Sequence, residues 1–208
     1  MERYLTAKGE NTAEFSEKRS RFIATLRHCE TEQEAMDFID EMRSKYWDAK
    51  HNVFAYSVNR GKSCRFSDDG EPHGTAGKPI LDVILGSGVC DIAIVVTRYF
   101  GGILLGTGGL VRAYSKAAKD AVSEASIAEM ISCSVIKTCC EYTDHQRLSK
   151  LIEENGGEIE NTDFAEKITL TYVLKDEAVE GFLEKLSENF SARLDAEIIE
   201  NKIYPFEI

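Results

Sequence analysis

No apolar run in this chain approaches the roughly 20 residues that a membrane-spanning helix needs, so no such helix is expected. The N-terminus, Met1-Glu2-Arg3-Tyr4, has no basic region followed by an apolar one, which predicts no signal peptide and a cytoplasmic protein. The six cysteines (Cys29, Cys64, Cys90, Cys133, Cys139 and Cys140) contain no C-x-x-C pair. Without an export signal they read as reduced, buried thiols rather than a disulfide framework or a zinc site. Proline is scarce, and two of the three fall in one polar stretch, Asp68 to Pro79.

An excess of positive charge is also missing. The net charge is -11 over 208 residues, and it is unevenly spread. Residues 1–128 carry 17 Lys and Arg against 18 Asp and Glu, which leaves 8 against 18 in 129–208. The second part would be repelled by a phosphate backbone, so any nucleic-acid contact is expected from the first.

One stretch organises what is present. Ile92 to Val96 is an unbroken, mostly β-branched run, the pattern of a strand buried on both faces. Five glycines follow: Gly101, Gly102, Gly106, Gly108 and Gly109. From Leu110 the apolar residues recur at three and four positions (Ala113, Tyr114, Ala117, Ala118, Ala121), which predicts a helix with Thr107 or Gly108 near its N-cap. Strand, glycine turn and helix together can present backbone N–H groups and a helix dipole to an anion. Arg112, Lys116 and Lys119 fall on the face away from the apolar stripe, Arg98 ends the strand, and no acidic residue lies between Asp91 and Asp120.

The elements before this stretch read as a strand over Ser20–Cys29, a helix from the capping box Thr31-Glu32-Gln33-Glu34 to near Trp47, and strands at His51–Val58 and Ser63–Ser67. A short helix fits Pro79 to Leu85, with Gly86 behind it. A boundary around Ala125 to Glu129 separates a first domain, 1–128, from a second, 129–208. In the second, strands fit Met130–Tyr142, Glu158–Phe164, Ile168–Leu174 and Leu194–Tyr204. Helices follow the capping box Thr143-Asp144-His145-Gln146 and run over Val179–Phe190. The order β-α-β-β-α-β is that of a ferredoxin-like unit, and the whole is α+β.

Other constellations are weaker. Gly74-Thr75-Ala76-Gly77-Lys78-Pro79 resembles a phosphate loop, but Pro72 and Pro79 stand where a Walker A needs glycine and Ser or Thr. Lys78 remains a candidate anion ligand. Asp68, Asp69, Glu71 and His73 could ligate a divalent ion, although Asp69-Gly70 is also an ordinary turn. Cys64 with His51 or His73 could form a thiol–imidazole pair. No metal and no cofactor is assigned from these patterns.

Asp69-Gly70-Glu71-Pro72-His73-Gly74-Thr75-Ala76-Gly77-Lys78-Pro79, followed by the run from Arg98-Tyr99-Phe100-Gly101-Gly102 through Gly106-Thr107-Gly108-Gly109-Leu110 to Tyr114, resembles the core of the YigZ/IMPACT family. The resemblance covers the whole chain. It implies a first domain similar to the second domain of a small-subunit ribosomal protein, and a ferredoxin-like second domain similar to the last domain of elongation factor G. It also implies a setting in translation regulation; eukaryotic relatives bind a partner that activates an initiation-factor kinase, but through additional domains, so that partner is not carried over. Two functions follow as expectations. One is a binding protein acting on RNA, the ribosome or a translation factor through Arg98, Gly106, Thr107, Gly108, Gly109, Arg112, Lys116, Lys119 and Lys78. The other is a small enzyme acting on a phosphorylated or anionic substrate at the glycine turn, with the 68–73 loop. The residues do not fix the oligomeric state.

Overall fold

The computed structural model describes residues 3–207. The chain is α+β and divides into two units, Tyr4–Glu129 with the segment from Pro205, and Met130–Tyr204 with Arg3. The first unit contains β1 (Tyr4–Ala7), β2 (Glu10–Glu17), β3 (Ser20–His28), α1 (Glu32–Lys45), β4 (His51–Val58) and β5 (Ser63–Ser67). It continues with α2 (Gly77–Ser87), β6 (Ile92–Tyr99) and α3 (Thr107–Ser123). Besides the changes near its two ends, the chain passes between the units inside β7 (Ile127–Cys140), within a strand and not in a loop.

The first unit is built on a sheet in the order β2-β3-β6-β4-β5. Every pair in it is antiparallel. The apolar run falls on central strand β6 because both sheet faces are covered. Ile92, Ile94 and Val96 pack with Phe22, Ile80, Ile84 and Tyr114 beneath α2 and α3. Ala93 and Val95 pack with Phe38, Ile39 and Met42 of α1. Each such large side chain contributes roughly 1.5–3 kcal/mol by leaving water. By the same alternation, Arg98 belongs to the α2/α3 face, where an apolar residue would continue the pattern.

Helix starts and stops differ in detail from the sequence expectation. Thr31 caps α1 by accepting from the Glu34 amide at 3.2 Å, but the Glu34 carboxylate accepts from Glu30 N at 2.8 Å, one residue before the cap. Helix α2 begins two residues before Pro79 and runs through Gly86, ending at left-handed Gly88. Helix α3 begins at Thr107 behind an uncapped Gly106. Two strands, β1 and β2, were not legible. β2 pairs along β3 at the edge of the sheet and keeps a mostly exposed, polar sequence, so it carries little apolar alternation.

The second unit continues through α4 (His145–Glu154), β8 (Glu158–Phe164), β9 (Ile168–Lys175), α5 (Asp176–Phe190) and β10 (Ala196–Glu207). β7 lies between β9 and β10, and β8 adds outside β9. Leu148, Leu151 and Ile152 of α4 and Phe182, Leu186 and Phe190 of α5 pack on the sheet face presenting Ile136, Leu170, Tyr172 and Leu174. This is the expected β-α-β-β-α-β arrangement. The box at Thr143–Gln146 does not form, because Asp144 is already in helical backbone (φ -94, ψ -16) and makes no side-chain cap. No helix among the described residues is long and apolar enough to cross a membrane.

Candidate anion-binding cleft and basic helix face

Arg98 does not stand at the surface. It is 5% exposed, opposite His51 in the β4–β6 register and Phe22 in the β3–β6 register. Its Nη1 donates to Glu71 Oε1 at 2.5 Å, and its Nη2 reaches Ser20 Oγ at 3.4 Å. Tyr114 of α3 donates to the same Glu71 oxygen at 2.8 Å. Burial, then the Glu71 charge and hydrogen bond, push the Tyr114 hydroxyl far above its ordinary pKa, so it stays a donor. His51 Nε2 lies 3.9 Å from Glu71, and its Nδ1 bonds the carbonyl of Asp69 at 2.7 Å. A charge inside the α2/α3 core is thus matched by a carboxylate from the 68–73 loop.

The same loop explains the other acidic candidates. Asp68 accepts from the amides of Gly74 (2.8 Å), Ala76 (3.1 Å) and Gly77 (2.9 Å), satisfying the start of α2. Asp69 accepts from Asn52 N at 2.6 Å, while the His73 side chain is fully exposed. Of the four candidate metal ligands only His73 and Asp68 approach each other, at 3.7 Å, and among the described residues no group of three or more ligand side chains converges. The thiol–imidazole pair is likewise not assembled: Cys64 Sγ lies against Ser57 Oγ and the Gly61 carbonyl. All six cysteines are free thiols, but Cys64 and Cys139 are exposed, contrary to the expectation of burial.

In the glycine turn, Gly101 and Gly106 serve different needs. A Cβ on Gly101 would lie 2.0 Å from the Arg19 carbonyl, so only glycine lets the turn pass the β2–β3 connection. Gly106 holds φ +74 immediately before α3. The first intrahelical bond of α3 runs from Leu110 N to Gly106 O, no side chain caps the helix, and its first turn has no acidic residue. The amides of Thr107, Gly108 and Gly109 therefore have no partner within the helix. This helix start, the 70–72 segment and the ends of β4 and β6 enclose a cleft of about 400 Å3. Lys50, Glu71 and Arg98 supply its charge, His51 adds an imidazole, and Phe100, Leu104 and Leu110 give much of its apolar wall.

The remaining basic candidates lie elsewhere. Arg112, Lys116 and Lys119 are exposed on the outer side of α3. Lys116 pairs with Asp120 at 2.5 Å and lies 4.8 Å from the Phe15 ring centre. Arg112 and Lys116 share a groove of about 240 Å3 with Lys18 from the β2–β3 turn. Lys119 and Lys78 instead line an apolar groove of about 650 Å3 between α2 and α3, where Lys78 pairs with Asp82. The expected residues thus line three recesses, a cleft, a basic groove and an apolar groove, and Arg112, Lys116 and Lys119 stay exposed along the outer side of α3 between the last two.

Two domain families match the chain, the Impact N-terminal domain over residues 18–122 and a domain of unknown function (DUF1949) over 139–193. An IMPACT family member from Haemophilus influenzae is 36% identical over 203 residues, covering 96% of this chain and 98% of its own length. The chain belongs to the IMPACT family. YigZ of Escherichia coli, another member, is 36% identical over 90% of this chain and 94% of its own. A solved structure described as a hypothetical protein is 35% identical with a TM-score of 0.62, covering 96% of this chain and 98% of its own. The Impact N-terminal match contains every cleft and helix-face residue named above. In this IMPACT-family chain, sequence reasoning missed the cleft contributions of Lys50 and His51. The signal for His51 was its place at the start of β4, which faces the end of β6 across the sheet.

Proposed function

We propose that this protein is a cytoplasmic binding protein of the translation apparatus, which meets RNA or a ribonucleoprotein through exposed cations of its N-terminal unit. The observation that carries this reading is the outer face of α3. Arg112, Lys116 and Lys119 stand there in a row spaced by four and three residues, all exposed, with Lys18 and Arg19 exposed at the neighbouring turn. Among the described residues only Lys116 of the three helix cations has a carboxylate partner, and an exposed i,i+4 pair contributes little and yields readily to a phosphate. The acidic second half leaves that task to the first, and the family's link to translation regulation supports the setting. The reading is tested by co-sedimentation with ribosomes at low and high salt. Association that weakens steeply with salt supports it, and no association at low salt contradicts it.

A further inference from the structure

We propose that the cleft between the glycine turn and the 70–72 segment binds a small organic phosphate, a site separate from the α3 face and independent of the RNA reading. Its charge fits that ligand. Arg98 and Glu71 offset each other, leaving the Lys50 ammonium, which sits 5.9 Å from the Phe100 ring centre, and the uncapped start of α3. A 17-residue helix presents about half a positive charge at its N-terminus. Together with Lys50 this roughly balances a phosphate monoester, which carries about -1.5 to -2 near neutrality. Thr107, whose amide has no partner within the helix, lines the cleft and supplies a donor at a helix start, where phosphates bind.

A second observation points to a ligand. Arg98 forms part of the cleft wall, is 5% exposed, and its Nε is a buried side-chain nitrogen with no hydrogen-bond partner among the described residues. A buried donor left unanswered is rare and costly, and a small shift of the guanidinium toward the cleft lets an acceptor oxygen of the ligand remove that cost. The rest of the wall gives the ligand's body its character. Phe100 is 45% exposed and Leu104 81% exposed, and with Pro72, Leu105 and Leu110 they form an apolar half suited to a ring or short chain. A cleft of about 400 Å3 is large enough for a mononucleotide-sized molecule and too small for a folded partner.

The test uses the full-length protein labelled with 15N and titrated with adenosine 5′-monophosphate, inorganic phosphate and adenosine at millimolar concentration. The expected result is movement of the Thr107, Gly108 and Gly109 amide signals with both phosphates, tighter for the monophosphate, and none with adenosine. Lys50→Met, a change on an exposed side chain, is expected to weaken the monophosphate about tenfold. Leu104→Asp, which sets a negative charge at the mouth, is expected to weaken it further. Both variants should keep the wild-type melting temperature and ribosome association, whereas changes on the α3 face should leave the phosphate titration untouched. No movement with either phosphate, or equal affinity in both folded variants, overturns the proposal.

Discussion

Arg98 and Glu71, 27 residues apart, meet at 2.5 Å with only 6% and 4% of their side chains exposed. The pair ties the polar loop before α2 to the central strand, and it fixes one wall of the cleft. Removing one partner leaves the other charged and buried, which costs about 3–5 kcal/mol. Glu71→Ala is therefore expected to lower stability by that amount in urea unfolding. The double change Glu71→Met with Arg98→Met should recover most of the loss, since no charge is then stranded. A double variant as unstable as the sum of the singles would mean the pair is not the source of the effect.

Asp68 offers a second, separable test. Its carboxylate uses both oxygens to accept three amides at the start of α2. Asp68→Ala should cost about 1–2 kcal/mol, as loss of a helix cap does. Asp68→Asn should restore only part of this, because one of its two side-chain atoms is now a donor. EDTA should leave the melting temperature of the wild type unchanged. A clear drop, reversed by one divalent ion, would return the loop to the role of metal site.

The buried thiols set an alkaline limit. Burial pushes Cys29 up to about 12, and Cys90 and Cys133 up to about 11, from an ordinary value of 9.0. The folded state then keeps protons that the unfolded chain loses above pH 9. Stability should be fully present below that pH and fall steadily as pH climbs toward 11–12. Urea unfolding in reducing buffer on either side of pH 9 checks the sign. Stability that rises through this window would contradict the burial of these groups.

The second unit should fold without the first. Its buried core comes from β7, β9, α4 and α5, with Ile159 of β8 and Ala196 of β10 packed against it, all within residues 136–196. The ion pair linking it to the chain's start, Arg3 with Glu177, is exposed at both ends and contributes little. Residues 129–208 expressed alone should therefore unfold cooperatively with mixed α and β circular dichroism. A fragment without a transition would show that the unit depends on its neighbour.

What the sequence made legible follows from how strongly each residue's environment marks it. β6 and α3 were readable because two covered sheet faces impose an unbroken apolar run, and one buried helix face imposes a three-and-four spacing. β4 and β5 emerged with their observed bounds because the turn Asn59-Arg60-Gly61 separates them, all three in left-handed backbone. β2 was hidden, since an exposed edge strand obeys no apolar pattern. At the candidate site, the glycine turn and the 68–73 loop were both visible and are paired in the enzyme alternative, but the Arg98–Glu71 contact that joins them was not, because it depends on the register of β4 with β6. Arg98 was read as a surface charge for a related reason. Strand alternation places it on the core face, but nothing in one sequence reports the carboxylate that meets it there.

The RNA reading stands or falls on the outer face of α3. The direct measurement is the salt dependence of RNA binding for the wild type and for Arg112→Glu with Lys119→Glu, both residues being exposed and outside the core. Every phosphate that the protein no longer neutralises lowers the log–log salt slope by about 0.9, or about 0.7 on single strands. The account predicts a folded double variant with much weaker binding and a slope reduced by about one to two units. A folded double variant that binds RNA with wild-type affinity and an unchanged slope would contradict it.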